Sequence, residues 1–85
     1  MPYQLKLKKS AEKELEALPL PAVLKIREKI IELANNPFPP GIKKLKGFTD
    51  LYRIRAGHYR AIYNVNHQTH IIEILKIGDR KNIYD

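Results

Sequence analysis

The sequence predicts an α+β fold: an N-terminal strand, a helical hairpin, then a three-stranded antiparallel meander, in the order βααβββ. Three observations predict it. Residues 3–8 alternate apolar and polar side chains. Two helix-period apolar stripes follow, separated by Pro19 and Pro21. Beyond a proline-rich connector come three strand-like runs joined by short turn segments. The strands form one mainly antiparallel sheet, with the hairpin covering one face.

The first strand rests on Tyr3, Leu5 and Leu7 alternating with Gln4, Lys6 and Lys8, the period-2 pattern of a half-buried strand. Ser10 then offers an N-cap, with Glu12 and Glu14 where the helix dipole favours acids. Ala11, Leu15 and Leu18 give this helix one apolar face, and Pro19 stops it. Pro21 opens a second helix. Its stripe is Val23, Ile26, Ile30, Leu33 and Ala34, widened by Leu24 and Ile31, and Asn35, Asn36 and Pro37 end it. So short a link makes the two helices an antiparallel hairpin.

Residues 37–41 read PFPPG, a stiff connector whose three prolines lack ladder donors. The strand-like runs are 51–55, 59–65 and 70–77, punctuated by Gly57 and by residues 66–69. Ile71, Ile72, Ile74, Leu75 and Ile77 populate both faces of the last run, which places it inside the sheet.

At 85 residues the chain is expected to be a single domain spanning residues 1–85. It carries no cysteine, which excludes a disulfide framework and thiolate chemistry and suits a reducing cytoplasm. No apolar run is long enough to span a bilayer, and no signal-peptide core opens the chain, so no membrane role is expected. Sixteen Lys or Arg against nine Asp or Glu give a formal charge of +7, a surface that attracts polyanions.

The cations concentrate. Residues 43–60 hold Lys43, Lys44, Lys46, Arg53, Arg55 and Arg60 against Asp50 alone. A two-residue turn at Ala56-Gly57 pairs Arg55 with His58 and Arg53 with Arg60. It thereby gathers three arginines and a histidine on one sheet face, with Tyr52, Ile54, Tyr59, Ala61 and Tyr63 on the other. Like charges set opposite each other destabilise a sheet. A local rule broken without structural gain is where function is expected. Arginines can also simply cover an exposed face with their stems. Arg80, Lys81 and Tyr84 follow the last strand and add cations and an aromatic able to stack on a base. His58, His67 and His70 lack metal-ligand spacing, so no metal or cofactor is expected. His58 reads as a residue beside the arginines rather than a reacting one. Glu73 reads as a partner for one of the arginines.

The segment KKLKGFTDLYRIRAGHYRAIYNV and the ending IGDRKNIYD resemble the RelE/ParE toxin superfamily, most closely its RelE-like messenger-RNA interferases. The resemblance covers nearly the whole chain. It implies the toxin of a type II toxin–antitoxin module, a ribosome-dependent endoribonuclease without metal or cofactor. Such a toxin cleaves messenger in the ribosomal A site by 2′-OH attack, leaving a 2′,3′-cyclic phosphate and a 5′-OH. It implies catalytic roles for Arg53, Arg55, Arg60, Arg80 and Tyr84, and the concentration of charge makes Lys43, Lys44, Lys46 and Lys81 the residues expected to hold RNA. Some members carry lysine where Arg53 and Arg55 stand, and arginine stays protonated, so neither serves as a base here. The position of His58 often holds an acid in the family. Implied partners are a RelB-like antitoxin, acidic and partly disordered, the ribosome with its messenger and ribosomal RNA, and operator DNA only through the antitoxin complex. The alternatives are a ParE-like toxin that inhibits gyrase without nuclease activity and a non-catalytic basic RNA-binding module.

Overall fold

A five-stranded sheet in the order β1-β5-β4-β3-β2 organises the chain in a computed structural model that describes residues 2–45, 47 and 50–79. The elements are β1 (Gln4–Leu7), α1 (Lys9–Glu16), α2 (Leu20–Leu33), β2 (Lys43–Lys44), β3 (Leu51–Ala56), β4 (Tyr59–Asn66) and β5 (Ile71–Asp79). β1 pairs parallel with β5, and every other pairing is antiparallel. The α+β architecture expected from the sequence is the one observed, with one addition. Lys43 and Lys44 form a two-residue edge strand against Arg53 and Tyr52.

α1 packs over β5, and α2 packs over β3 and β4. Between helices and sheet lies the core: Ala11, Ile26, Ile30, Leu33, Ile54, Ala56, Ala61, Tyr63, Val65, Ile72, Ile74 and Ile77. Full burial of each large aliphatic side chain contributes about 1.5–3 kcal/mol before entropy is charged against it. Tyr3, Tyr52 and Tyr59 are half-buried against this core, while Tyr63 is fully buried and donates its hydroxyl hydrogen bond to the Pro37 carbonyl at 2.8 Å. That bond ties the stiff connector to the sheet. Burial, with Tyr52 adding to it, pushes the Tyr63 hydroxyl well above the ordinary tyrosine range.

Two helix expectations need correction. α1 begins at Lys9 with Lys8 as its cap residue and no side-chain cap, so Ser10 lies inside the helix. The extended backbone of Lys8 continues β1 to the helix start, leaving no room for a cap at Ser10. Leu24 and Ile31 do not widen the buried stripe of α2. With Leu20 they stand on one face of the helix, at i, i+4 and i+11, turned away from the sheet and exposed.

The β3–β4 turn also differs from expectation. Its central residues are Gly57 and His58, not Ala56 and Gly57, so Ala56 pairs with Tyr59, Arg55 with Arg60 and Arg53 with Ile62. Gly57 has φ +64 and His58 does not have positive φ, the pattern of a turn with glycine at its first central position. The register moves by two residues in all, an even number, so every side chain keeps its expected face.

Candidate functional site

The face of the sheet away from the helices can be read row by row from the register. Arg55, Arg60 and Gly78 stand side by side across β3, β4 and β5. The next row is Lys43, Arg53, Ile62 and Lys76. Leu51, Asn64, Glu73 and Lys6 follow, then Asn66, Ile71 and Gln4. One end of the face is therefore strongly cationic. The other carries amides and the acid Glu73, which stands beside Lys6.

The arginines converge on one face as the sequence indicates, but they do not simply cover an exposed surface. Arg55 is exposed, whereas Arg53 and Arg60 retain only 5% and 6% of their accessible surface. Leu45, Ile62 and Leu51 form a second, smaller apolar cluster on this face. Ile62 stands directly opposite Arg53, so the arginine stems lie among apolar neighbours. Arg53, Arg60 and Asp79 each have polar or ring interactions of their own. A guanidinium stays charged even when buried, and a low-dielectric setting strengthens its pull on an anion.

The hairpin positions these groups. β3 and β4 present Arg53, Arg55 and Arg60 on rigid, paired backbone. A bulge in β5 leaves Leu75 between the pairs Ile62↔Lys76 and Tyr63↔Ile74. Lys43 and Lys44 are exposed on the edge strand, Lys43 next to Arg53. His58 sits exposed in the turn and does not pair with Arg55, because the turn is centred one residue later than expected. Glu73 is in register with Asn64 and Lys6 rather than with an arginine. Lys46, Arg80, Lys81 and Tyr84 lie outside the described residues. Among the described residues no group of three or more histidine or acidic side chains could hold a metal ion.

A cleft of about 400 Å³ opens at the amide end, lined by Asp50, Asn64, Val65, Asn66, His67 and Gln68. The sequence reading missed it. Its residues come from two separate loops and a strand end, and no short motif joins them.

With this geometry in view, comparison with known proteins is informative. Residues 5–84 match the family described as ParE toxin of type II toxin–antitoxin system, parDE. A Methanocaldococcus jannaschii relative named RelE1 is 37% identical over 87 residues, covering 99% of this chain and 97% of its own length. A chain of the archaeal RelE–RelB complex from Pyrococcus horikoshii OT3 aligns with TM-score 0.84 at 36% identity, covering 98% of this chain and all of that one. A chain of the RelB–RelE antitoxin–toxin complex from Methanococcus jannaschii aligns with TM-score 0.77 at 32% identity, covering 94% and 95%.

Proposed function

Because the chain belongs to the ParE toxin family of type II toxin–antitoxin systems, with RelE-like relatives, we propose that it is a toxin that cleaves messenger RNA in the ribosomal A site. The observation that carries this reading is the Arg55–Arg60 pairing with Arg53 in the adjacent row, three guanidiniums on one rigid face. Arginine matches phosphate oxygens bidentately, and directly opposed cations are hard to explain as scaffold.

The reaction needs the 2′-OH deprotonated, charge at phosphorus stabilised and the 5′ oxygen protonated. The messenger's 2′-OH loses its proton and its oxygen attacks the adjacent phosphorus. The P–O5′ bond breaks, giving a 2′,3′-cyclic phosphate, and the departing 5′ oxygen takes a proton. Arg60 holds the scissile phosphate and stabilises charge growing on its oxygens. Arg53 and Arg55 lower the energy of the dianionic intermediate. Arg80 is assigned to the leaving oxygen, and Tyr84 either stacks on a base or takes the 2′-OH proton. An ordinary tyrosine ionises near pH 10, and a guanidinium beside a tyrosine favours the phenolate. Lys43, Lys44, Lys46 and Lys81 hold the RNA backbone, and His58 supports the site from its turn. With no strong base, much of the rate comes from positioning, for which effective molarities reach ~10⁵ M or more. That makes the ribosome a required scaffold and puts the activity in the cytoplasm.

The two archaeal solved relatives come from toxin–antitoxin complexes, which supports a RelB-like antitoxin as the partner here. A +7 chain calls for an acidic one, disordered in part until bound, and operator DNA is reached through that complex. The match to a ParE description is the observation that favours a second reading, a toxin acting on gyrase without cutting RNA. Primer extension on messenger from programmed ribosomes separates the two. Discrete cuts with wild type and none with Arg60→Ala support the nuclease. Intact messenger with wild type, alongside inhibited gyrase, supports the second reading.

A further inference from the structure

We infer that the cleft at Asp50, Asn64 and Gln68 is a base-reading pocket, which receives a messenger nucleobase bearing an exocyclic amine and disfavours uracil. This deepens the nuclease reading and rests on it.

Two of the cleft's lining residues, Asn64 and Asn66, stand on the face of the arginines. Asn64 lies four residues along β4 from Arg60, and strand geometry puts it about 13 Å away. Unstacked RNA covers that span in roughly two nucleotides, each about twice the 3.4 Å of a stacked one. A strand whose phosphate is held at Arg60 therefore brings a neighbouring base to the cleft.

Charge decides which part of the nucleotide enters. Among the described residues the lining has no lysine or arginine and includes Asp50, and Glu73 stands beside Asn64 with Lys6 on its other side. A phosphate is repelled there and drawn to the arginine end, about 13 Å away by the same strand rise. A neutral base is not repelled. Sequence-specific RNA recognition works on such splayed, unstacked bases through their hydrogen-bonding edges.

Asp50 and Asn64 offer acceptors. The Asp50 carboxylate only accepts. The Asn64 amide nitrogen donates to the Asp50 carbonyl oxygen at 3.3 Å, leaving Oδ1 as an acceptor for the incoming base. Asn66 Oδ1 accepts from the Gln68 and Thr69 amides at 2.9 and 3.0 Å, which fixes the wall of the turn. His67 is held behind it, with Nδ1 3.0 Å from the Tyr3 hydroxyl and its ring 5.7 Å from that of Phe38. Adenine, cytosine and guanine each bring an exocyclic amino group with two N–H donors to these acceptors, whereas uracil brings a single N3–H flanked by two carbonyls that the Asp50 carboxylate repels.

The test uses the full chain on programmed ribosomes, with messengers differing only in the bases flanking the cut, read by primer extension. Wild type is expected to favour an amino-bearing base over uracil at one flanking position by 10-fold or more. Asp50→Asn, which adds a donor able to meet a uracil carbonyl, is expected to cut at uracil more efficiently while Gln68→Ala flattens the preference. A preference unchanged in both variants overturns the proposal and leaves the nuclease standing. No cleavage by wild type overturns the nuclease reading instead. The cleft is then decided by NMR titration of the free chain with CMP and with UMP. Shifts at Asn64 and Gln68 with CMP alone support it, and shifts with neither or both overturn it.

Discussion

The Glu14 carboxylate accepts a hydrogen bond from the Ile77 backbone amide at 3.1 Å, joining α1 to the far half of β5. β1 stops pairing at Leu7↔Ile74, so the outer edge of β5 beyond that point needs acceptors from elsewhere. The helix supplies one. A charged acceptor on a part-buried amide contributes more than a neutral one, about 1.5–3 kcal/mol. Glu14→Ala is therefore expected to lower unfolding free energy by roughly 1–3 kcal/mol, and Glu14→Gln, which keeps an acceptor oxygen, by less. Urea titration at neutral pH measures both. Equal losses in the two variants would mean that packing, not the hydrogen bond, carries the effect.

Arg55 and Arg60 are direct cross-strand neighbours. Opposed like charges cost a sheet some tenths of a kcal/mol, up to about 1 kcal/mol. Arg55 is the exposed member, so replacing it removes repulsion without opening a cavity. Arg55→Gln is expected to raise the melting temperature slightly, to raise it least in high salt, and to slow single-turnover cleavage. A variant that is both less stable and fully active would contradict the trade of stability for function at this pair.

Tyr63 makes stability fall on the alkaline side. Its hydroxyl is buried and its folded-state pKa is raised, whereas in the unfolded chain it ionises near pH 10. Below about pH 10 both states hold the proton and stability does not depend on this group. As pH rises above that, the unfolded state loses its proton first, and unfolding is favoured by about 1.4 kcal/mol per pH unit for this one group. Tyr63→Phe is expected to abolish that slope while losing about 1 kcal/mol at pH 7 with the bond to Pro37. Denaturation midpoints between pH 8 and 11 for the two proteins test the sign.

The faces of the sheet were legible in the sequence because strand alternation survives an even error in register. Shifting the turn from Ala56-Gly57 to Gly57-His58 changed every partner and no face. Burial of the arginines was not legible. It depends on Leu45 and Ile62 meeting across strands β2 to β4, and β2 is too short to leave a periodic signal. Charge alone points Glu73 to an arginine, but register decides its partner, and the parallel pairing that sets it beside Lys6 links opposite ends of the chain. The cleft has the same origin. Asp50 reaches it only because its carbonyl accepts from the Val65 amide at 3.2 Å and from the Asn64 side chain.

Leu20, Leu24 and Ile31 form an apolar stripe on α2, 67%, 52% and 57% exposed, with Arg27 on the same helix face. Beside it a shallow groove runs between Leu5, Leu7, Leu15, Ile30 and Ile31. Exposed apolar patches rimmed by charge mark interaction surfaces. An antitoxin helix with an apolar stripe of its own and acids at its margins fits this one, the acids meeting Arg27. Leu24→Asp and Ile31→Asp place an anion where that helix docks, adding repulsion to the lost apolar contact. Each is expected to weaken antitoxin binding by 10-fold or more, which is about 1.4 kcal/mol. Because both side chains are exposed, melting temperature should hardly move, and cleavage by the free toxin should be unchanged since the stripe lies on the helix side of the sheet. Isothermal titration with purified antitoxin and cleavage on programmed ribosomes give the two readouts. Wild-type affinity in both variants would take α2 out of the interface, and lost cleavage in either would mean that the helix face also meets the ribosome.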